Sequence, residues 1–228
     1  MARVPAVVLF DVVETLFSLE RVGTLLRAAG LGDDGVDRWF PRFLRDGIAL
    51  ATSGDFRPFR EVAQSSLRDA LRTAGADASD GVVDTVLEGF GALDAYDDVR
   101  PALEFLRDRS IRVMTLSNGS AASTRALLDR ASLSPLVAGV LSADEVRLWK
   151  PRPEPYLHAC TVAGLPPDRV ALVAVHAWDI QGAASAGLIT GWCARLEREY
   201  SPLFRTPDAT GETLLNLVHA LATLEAAQ

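Results

Sequence analysis

The sequence predicts an α/β protein, a doubly wound parallel sheet of Rossmann-like character with an inserted helical cap. Three observations predict it. Short valine-rich apolar runs alternate with amphipathic stretches, the segment from Leu19 to Leu93 lacks such runs altogether, and polar residues directly follow several of the runs.

Val7–Phe10 is a continuous apolar run, the pattern of a parallel strand buried on both faces, and it predicts a central strand. From Leu19 onward the apolar residues recur at helical spacing instead: Leu19, Val22, Leu25 and Leu26; Trp39, Phe43 and Leu44; Phe59, Val62 and Ala63; Val82, Val83, Val86, Leu87 and Phe90. That pattern predicts an inserted unit of roughly four helices. Glycine-, serine- and proline-bearing breaks fall at 30–35, 53–58 and 75–81. Further strands are expected at 113–116, 137–141 and 170–175, with a short one at Ile189–Cys193. Helical stretches separate them: Leu103 and Leu106 follow Pro101, which suits a first helical turn, and Leu127 and Leu128 follow Ser123. Strand alternating with helix implies βαβ units. The expected division is a core of residues 1–16 and 94–228, with a cap of residues 17–93.

At 228 residues, 49% hydrophobic and 23% charged, the chain can bury one substantial core. Its net charge of -7, with no block of lysines or arginines, argues against nucleic acid as a partner, while a pocket can still be locally positive for a small anionic substrate. The stretch 1–10 reads as neither signal peptide nor membrane span, so no membrane partner is expected. Cys160 and Cys193 are far apart and in no metal-ligand spacing, which favours buried thiols and a cytoplasmic location. Asn118-Gly119-Ser120 matches a glycosylation acceptor in form only, since no secretion signal accompanies it.

In an open parallel sheet, ligands bind beyond the carboxyl ends of the strands. Four places qualify. Asp11 follows Val7–Phe10, with Thr15 close behind; a carboxylate there can attack carbon or phosphorus, and by itself it equally fits a turn aspartate or a helix N-cap. Ser117-Asn118-Gly119 follows a second strand and precedes a helix opening near Ser120, an anion cradle or simple capping. Lys150 precedes the rigid Pro151-Arg152-Pro153 and either points inward to orient Asp11 or is a solvated surface charge. Asp179, in His176-Ala177-Trp178-Asp179, either positions water or the lysine or stabilises a first helical turn; Gly182-Ala183-Ala184 beyond it allow close helix packing. Asn118, Lys150 and Asp179 fall about 30 residues apart, near the length of one βαβ repeat, which would bring each to the same edge of the sheet.

Taken as a set, Phe10-Asp11-Val12-Val13-Glu14-Thr15-Leu16-Phe17, Leu116-Ser117-Asn118-Gly119, Trp149-Lys150-Pro151 with Tyr156, and His176-Ala177-Trp178-Asp179 with Gly182-Ala183 resemble the four motifs of the haloacid dehalogenase superfamily, and within it look most like type II 2-haloacid dehalogenases. The resemblance implies that Asp11 is the nucleophile, with Thr15, Ser117, Asn118, Lys150, Tyr156 and Asp179 in support. Lys150 would steady the carboxylate and Asp179 would help the water that cleaves the enzyme ester. Val12, Val13, Phe40, Tyr156, His176 and Trp178 would line the substrate site. Where superfamily phosphatases carry a second aspartate as general acid, this sequence has Val13, and where they offer a further acidic residue it has Val175. A halide leaves without a proton, so the resemblance implies hydrolytic dehalogenation of a small 2-haloacid with no metal and no cofactor.

The sequence also departs from the dehalogenase pattern. The usual tyrosine and glycine after the nucleophile are Val13 and Glu14, the serines before Ala-Trp-Asp are Ala174 and Val175, and His176 replaces an asparagine. Phe40 stands where a cap arginine usually cradles the halide; Arg38, Arg42 and Arg45 share a nearby helical face and are candidates to substitute. Two other readings stay open: a small-molecule phosphatase using Mg²⁺, and a non-catalytic ligand-binding module. Exposed apolar residues on the cap would favour a homodimer.

Overall fold

The computed structural model describes residues 4–224; residues 1–3, part of the stretch weighed above as a leader, and residues 225–228 lie outside the described residues. Strand β1 (Val7–Phe10) is buried along its whole length. Because side chains alternate across a strand, Val7 and Leu9 enter one core layer while Val8 and Phe10 enter the other, which is why the run is apolar at every position.

Past β1 the chain forms the expected four helices: α1 (Glu20–Leu26), prolonged by a π-helical turn over Arg27–Leu31, α2 (Gly35–Ser53), α3 (Phe59–Thr73) and α4 (Asp80–Glu88). Gly54 ends α2 at φ 83°, a left-handed conformation that costs glycine least. The third break is shorter than 75–81, because α4 already starts at Asp80 and Gly81 lies inside it. The chain then runs through α5 (Val99–Asp108), β2 (Arg112–Ser117), α6 (Ala121–Arg130), β3 (Gly139–Ser142), α7 (Pro153–Ala163), β4 (Val170–Ala174), α8 (Ala177–Ser185), β5 (Ile189–Cys193), β6 (Ala209–Gly211) and α9 (Leu214–Leu221).

All five pairings in the sheet are parallel, in the order β3-β2-β1-β4-β5-β6. The strand order reverses beside β1, so the crevice for ligands lies outside the carboxyl ends of β1 and β4. β4 stops at Ala174, one residue short of the expected strand, because the Val175 amide turns away and donates to the Thr15 hydroxyl at 3.2 Å. β6 and α9 have no counterpart in the sequence reading; three residues are too few to show a period.

Trp149 ties the helical unit to the sheet. Its indole N–H donates to the Arg57 carbonyl at 2.9 Å, and its ring stacks on Phe59 with centroids 6.0 Å apart. Gly47 of α2 lies directly against the same ring, where any Cβ would overlap it.

Among the described residues, no helix is long and apolar enough to cross a membrane. Among the described residues, the exposed large apolar side chains are Leu157, Val162, Leu196 and Leu203, all beyond residue 93. Within the inserted helices, Trp39, Phe43 and Leu67 turn inward.

Candidate active site

Asp11 begins where β1 ends, and its amide donates to the Val173 carbonyl of β4 at 3.0 Å. Its two carboxylate oxygens have different surroundings. Oδ1 accepts from Lys150 Nζ at 2.8 Å, and Oδ2 accepts from the Thr15 hydroxyl at 2.8 Å. Thr15 is fixed in turn by the Val175 amide, so the loop after β4 sets the donor that holds Asp11.

Lys150 is fully buried and spends all three of its protons: on Asp11 Oδ1, on Asp179 Oδ2 at 2.6 Å and on the Leu116 carbonyl at 3.0 Å. Burial would strip its charge, but Asp11 and Asp179 hold its pKa above the ordinary lysine value. Asn118 clamps the Lys150 backbone from both sides, accepting from its amide at 2.8 Å and donating to its carbonyl at 3.4 Å. The amide proposed above for an anion cradle is thus committed to placing the lysine. Ser117 Oγ accepts from the Gly119 amide at 2.9 Å, and Ser120 caps α6.

Asp179 is completely buried at the start of α8. Oδ2 takes the lysine, and Oδ1 accepts from the Tyr156 hydroxyl at 2.5 Å. Burial pushes its pKa up, against the pull of Lys150. Tyr156 is also fully buried, and burial together with Asp179 raises its pKa well above the usual phenol value. Tyr156 therefore sits beneath the site rather than facing a substrate, which corrects the sequence expectation of direct contact. Gly182 permits this arrangement: a Cβ there would meet the Tyr156 hydroxyl at 2.5 Å and the Pro151 carbonyl at 2.8 Å.

Burial works against the charge on Asp11 too, yet Lys150 and His176 hold its carboxyl well below the usual range. Asp11 is ionised at neutral pH. With both its oxygens engaged and an ammonium between it and Asp179, this donor set suits a carboxylate nucleophile and not an octahedral Mg²⁺ site; no group of three or more His, Cys, Asp or Glu among the described residues is placed to hold a metal.

On the other side of Asp11 stands His176. Its Nε2 hydrogen-bonds Glu14 Oε2 at 2.8 Å, its ring stacks on Trp178 with centroids 5.3 Å apart, and Nδ1 lies 3.8 Å from Asp11 Oδ2. Nδ1 is buried with no hydrogen-bond partner. Burial favours neutral imidazole, but Asp11 and Glu14 raise the pKa of His176 to about 10. Glu14 reaches the ring from a left-handed backbone, φ 67°.

Two cavities border these groups. One, of about 100 Å³, is lined by Val12, Val13 and Ser117 with Phe59, Arg60 and Phe90 from the helices. The other, of about 390 Å³, is lined by Glu14, His176 and Trp178 with Phe40, Leu44 and Leu196. Val12, Val13 and Ser117 thus border the smaller cavity, and Phe40, His176 and Trp178 the larger. The three proposed replacement arginines border neither. Arg38 pairs with Asp34 at 2.9 Å, Arg45 pairs with Asp46 at 2.7 Å, and Arg42 joins Arg38 on a separate cavity against Trp39 and Ala70. The helix turns that face away from the sheet, so none lines either cavity beside Asp11. Arg60, missed in the sequence, does line the smaller one, with Asp84 at 2.8 Å. Only its place in the first turn of a helix beside Phe59 could have suggested it.

Residues 5–187 match the model of the haloacid dehalogenase-like hydrolases. This chain belongs to that family. The hydrolase is 30% identical over 186 residues to (S)-2-haloacid dehalogenase 4A of Burkholderia cepacia, covering 82% of this chain and 78% of that one. It is 25% identical over 224 residues to haloacetate dehalogenase H-2 of Moraxella sp. (strain B), covering 97% and 100% respectively. A dehalogenase crystallised as an intermediate complex superposes with a TM-score of 0.88 at 26% identity, over 97% of this chain and 99% of that one.

Proposed function

We propose that this hydrolase removes halide from small 2-haloacids through an ester on Asp11. The observation that carries the reading is the asymmetric hold on that carboxylate: Oδ1 bound by a buried ammonium, Oδ2 hydrogen-bonded by the Thr15 hydroxyl with His176 Nδ1 3.8 Å away. Oδ2 attacks the α-carbon, the carbon–halogen bond breaks and halide leaves unprotonated. Val13, in place of a general acid, suits such a leaving group and supports this reading over a phosphoester substrate. Water then adds to the ester carbonyl. Charge grows on Oδ1, where the Lys150 ammonium already points and costs no reorganisation. Asp179, enclosed by Lys150 and Tyr156, fixes the ammonium rather than touching the water. Arg60 supplies the positive end of the smaller cavity for the substrate carboxylate. The buried free thiols Cys160 and Cys193 fit an enzyme of the cytoplasm.

The test is halide release from bromoacetate and both enantiomers of 2-chloropropionate, with EDTA present. Wild type should release halide, and Asp11→Ala should lower the rate by on the order of 10⁴ to 10⁶. A single turnover in ¹⁸O-water should leave the label on Asp11. No release from any of the acids overturns the reading, and a phosphoester panel with Mg²⁺ would then be decisive for a phosphatase.

A further inference from the structure

We infer that His176, oriented by Glu14, is the general base that activates the water cleaving the Asp11 ester; the inference rests on the dehalogenase reading above.

The geometry is that of an oriented base. Glu14 holds Nε2 at 2.8 Å, Trp178 stacks on the ring, and the free Nδ1 is aimed at the nucleophile, 3.8 Å from Oδ2. That separation is too long for a direct hydrogen bond and short enough for one water, about 2.8 Å from each atom, to bridge the two groups. Nδ1 is also a buried polar atom without a partner, which in a native site calls for an occupant.

The other polar groups around Asp11 are already committed. Lys150 has spent its protons, both oxygens of Asp179 are engaged, and the Thr15 hydroxyl donates to Asp11 while accepting from Val175. Ala174 and Val175, in place of serines, offer no side-chain oxygen.

The charges around the ring make its role change during turnover. Glu14 and Asp11 face it from the loop after β1, while Asp37 of α2 and Glu197 line the same cavity, and Lys150 lies beyond Trp178, 6.0 Å from that ring. Of these groups, only Asp11 loses its charge in the reaction. While Asp11 is a carboxylate, His176 is an imidazolium. Alkylation makes Asp11 a neutral ester, the imidazolium loses the negative charge that lay 3.8 Å from Nδ1, and its Nδ1 proton passes to solvent. The neutral ring then takes a proton from water as the hydroxide adds to the ester carbonyl. The tetrahedral intermediate collapses with cleavage of the acyl carbon–oxygen bond, and the carboxyl proton goes to the departing alkoxide. Asp11 carboxylate, His176 imidazolium and the hydroxyacid result, and the overall balance is haloacid plus water to hydroxyacid, halide and one proton.

The test is rapid-quench single turnover of wild type, His176→Asn, His176→Gln and Glu14→Gln with whichever 2-chloropropionate enantiomer wild type dehalogenates. Halide and intact protein mass are read together. For the His176 variants, ester hydrolysis should slow by about 10² to 10⁴ relative to alkylation, so that an adduct on Asp11 accumulates. For Glu14→Gln, the slowing should be smaller and the acidic limb of the hydrolysis rate should move to lower pH, a shift that a purely structural role would not produce. Folded variants that hydrolyse the ester at the wild-type rate, without adduct, overturn this inference alone. A wild type that yields neither halide nor adduct overturns the dehalogenase reading and this inference together.

Discussion

The two sides of Asp11 are built to opposite rules. On the Oδ1 side every polar atom is satisfied: Lys150 bridges Asp11 and Asp179, Tyr156 closes Asp179, and Asn118 clamps the lysine backbone. On the Oδ2 side a buried imidazole nitrogen has no partner, and Glu14 is held at positive φ to reach the same ring. A saturated buried network is rigid, because each group that moves strands another. An unsaturated one keeps capacity for water. The contrast separates the part of the site that positions the nucleophile from the part that can change protonation during the reaction.

The largest effect should come from breaking the saturated side. Lys150→Met leaves Asp11 and Asp179 buried without their common cation. Urea unfolding at pH 7 should show a loss of about 3–5 kcal/mol. Because the Asp11 carboxyl is held below its ordinary pKa of 3.8, its contribution is present above that pH and fades as pH falls below it; the gap between variant and wild type should therefore narrow in acid.

The other side should show the opposite pH sense. The pKa of His176 is raised from 6.5 to about 10, so the bound proton stabilises the fold fully below pH 6.5 and that contribution is lost as pH climbs through 10. His176→Asn should remove that pH-dependent stability, about 5 kcal/mol at most for a rise of this size, measured by unfolding at several pH values. A smaller effect, about 1.5 kcal/mol, is expected for Tyr156→Phe, which leaves Asp179 Oδ1 without its donor. It should lower kcat more than it changes KM, since Tyr156 lies beneath the site. Arg60→Ala should be smallest in stability, within about 0.5 kcal/mol for an exposed pair with Asp84, yet raise KM about tenfold if the arginine meets the substrate carboxylate.

The strands were legible because burial on both faces leaves a continuous apolar run, as at Val7–Phe10 and Ile189–Cys193. The helices between Leu19 and Leu93 were legible from their period, while β6 was too short to carry one. Asp11, Lys150 and Asp179 could be named because strand ends converge on one edge of a parallel sheet, whatever their distance in sequence. The direction of a side chain at such an edge is another matter. Tyr156 read as a substrate contact, yet its hydroxyl points under the site at Asp179.

By itself, then, the sequence determined the alternation of strand and helix, the inserted helical unit and the identity of the charged residues at the strand ends. Those properties depend on local period and on chain order. Only the tertiary structure decided that Asn118 serves the Lys150 backbone, that Asp179 is sealed by Tyr156, that Arg60 rather than Arg38, Arg42 or Arg45 borders the site, and that Glu14 and His176 meet. Each of these joins groups far apart in sequence or depends on which face of a helix turns inward. Such pairings follow from the packing of the whole chain, and no local pattern encodes them.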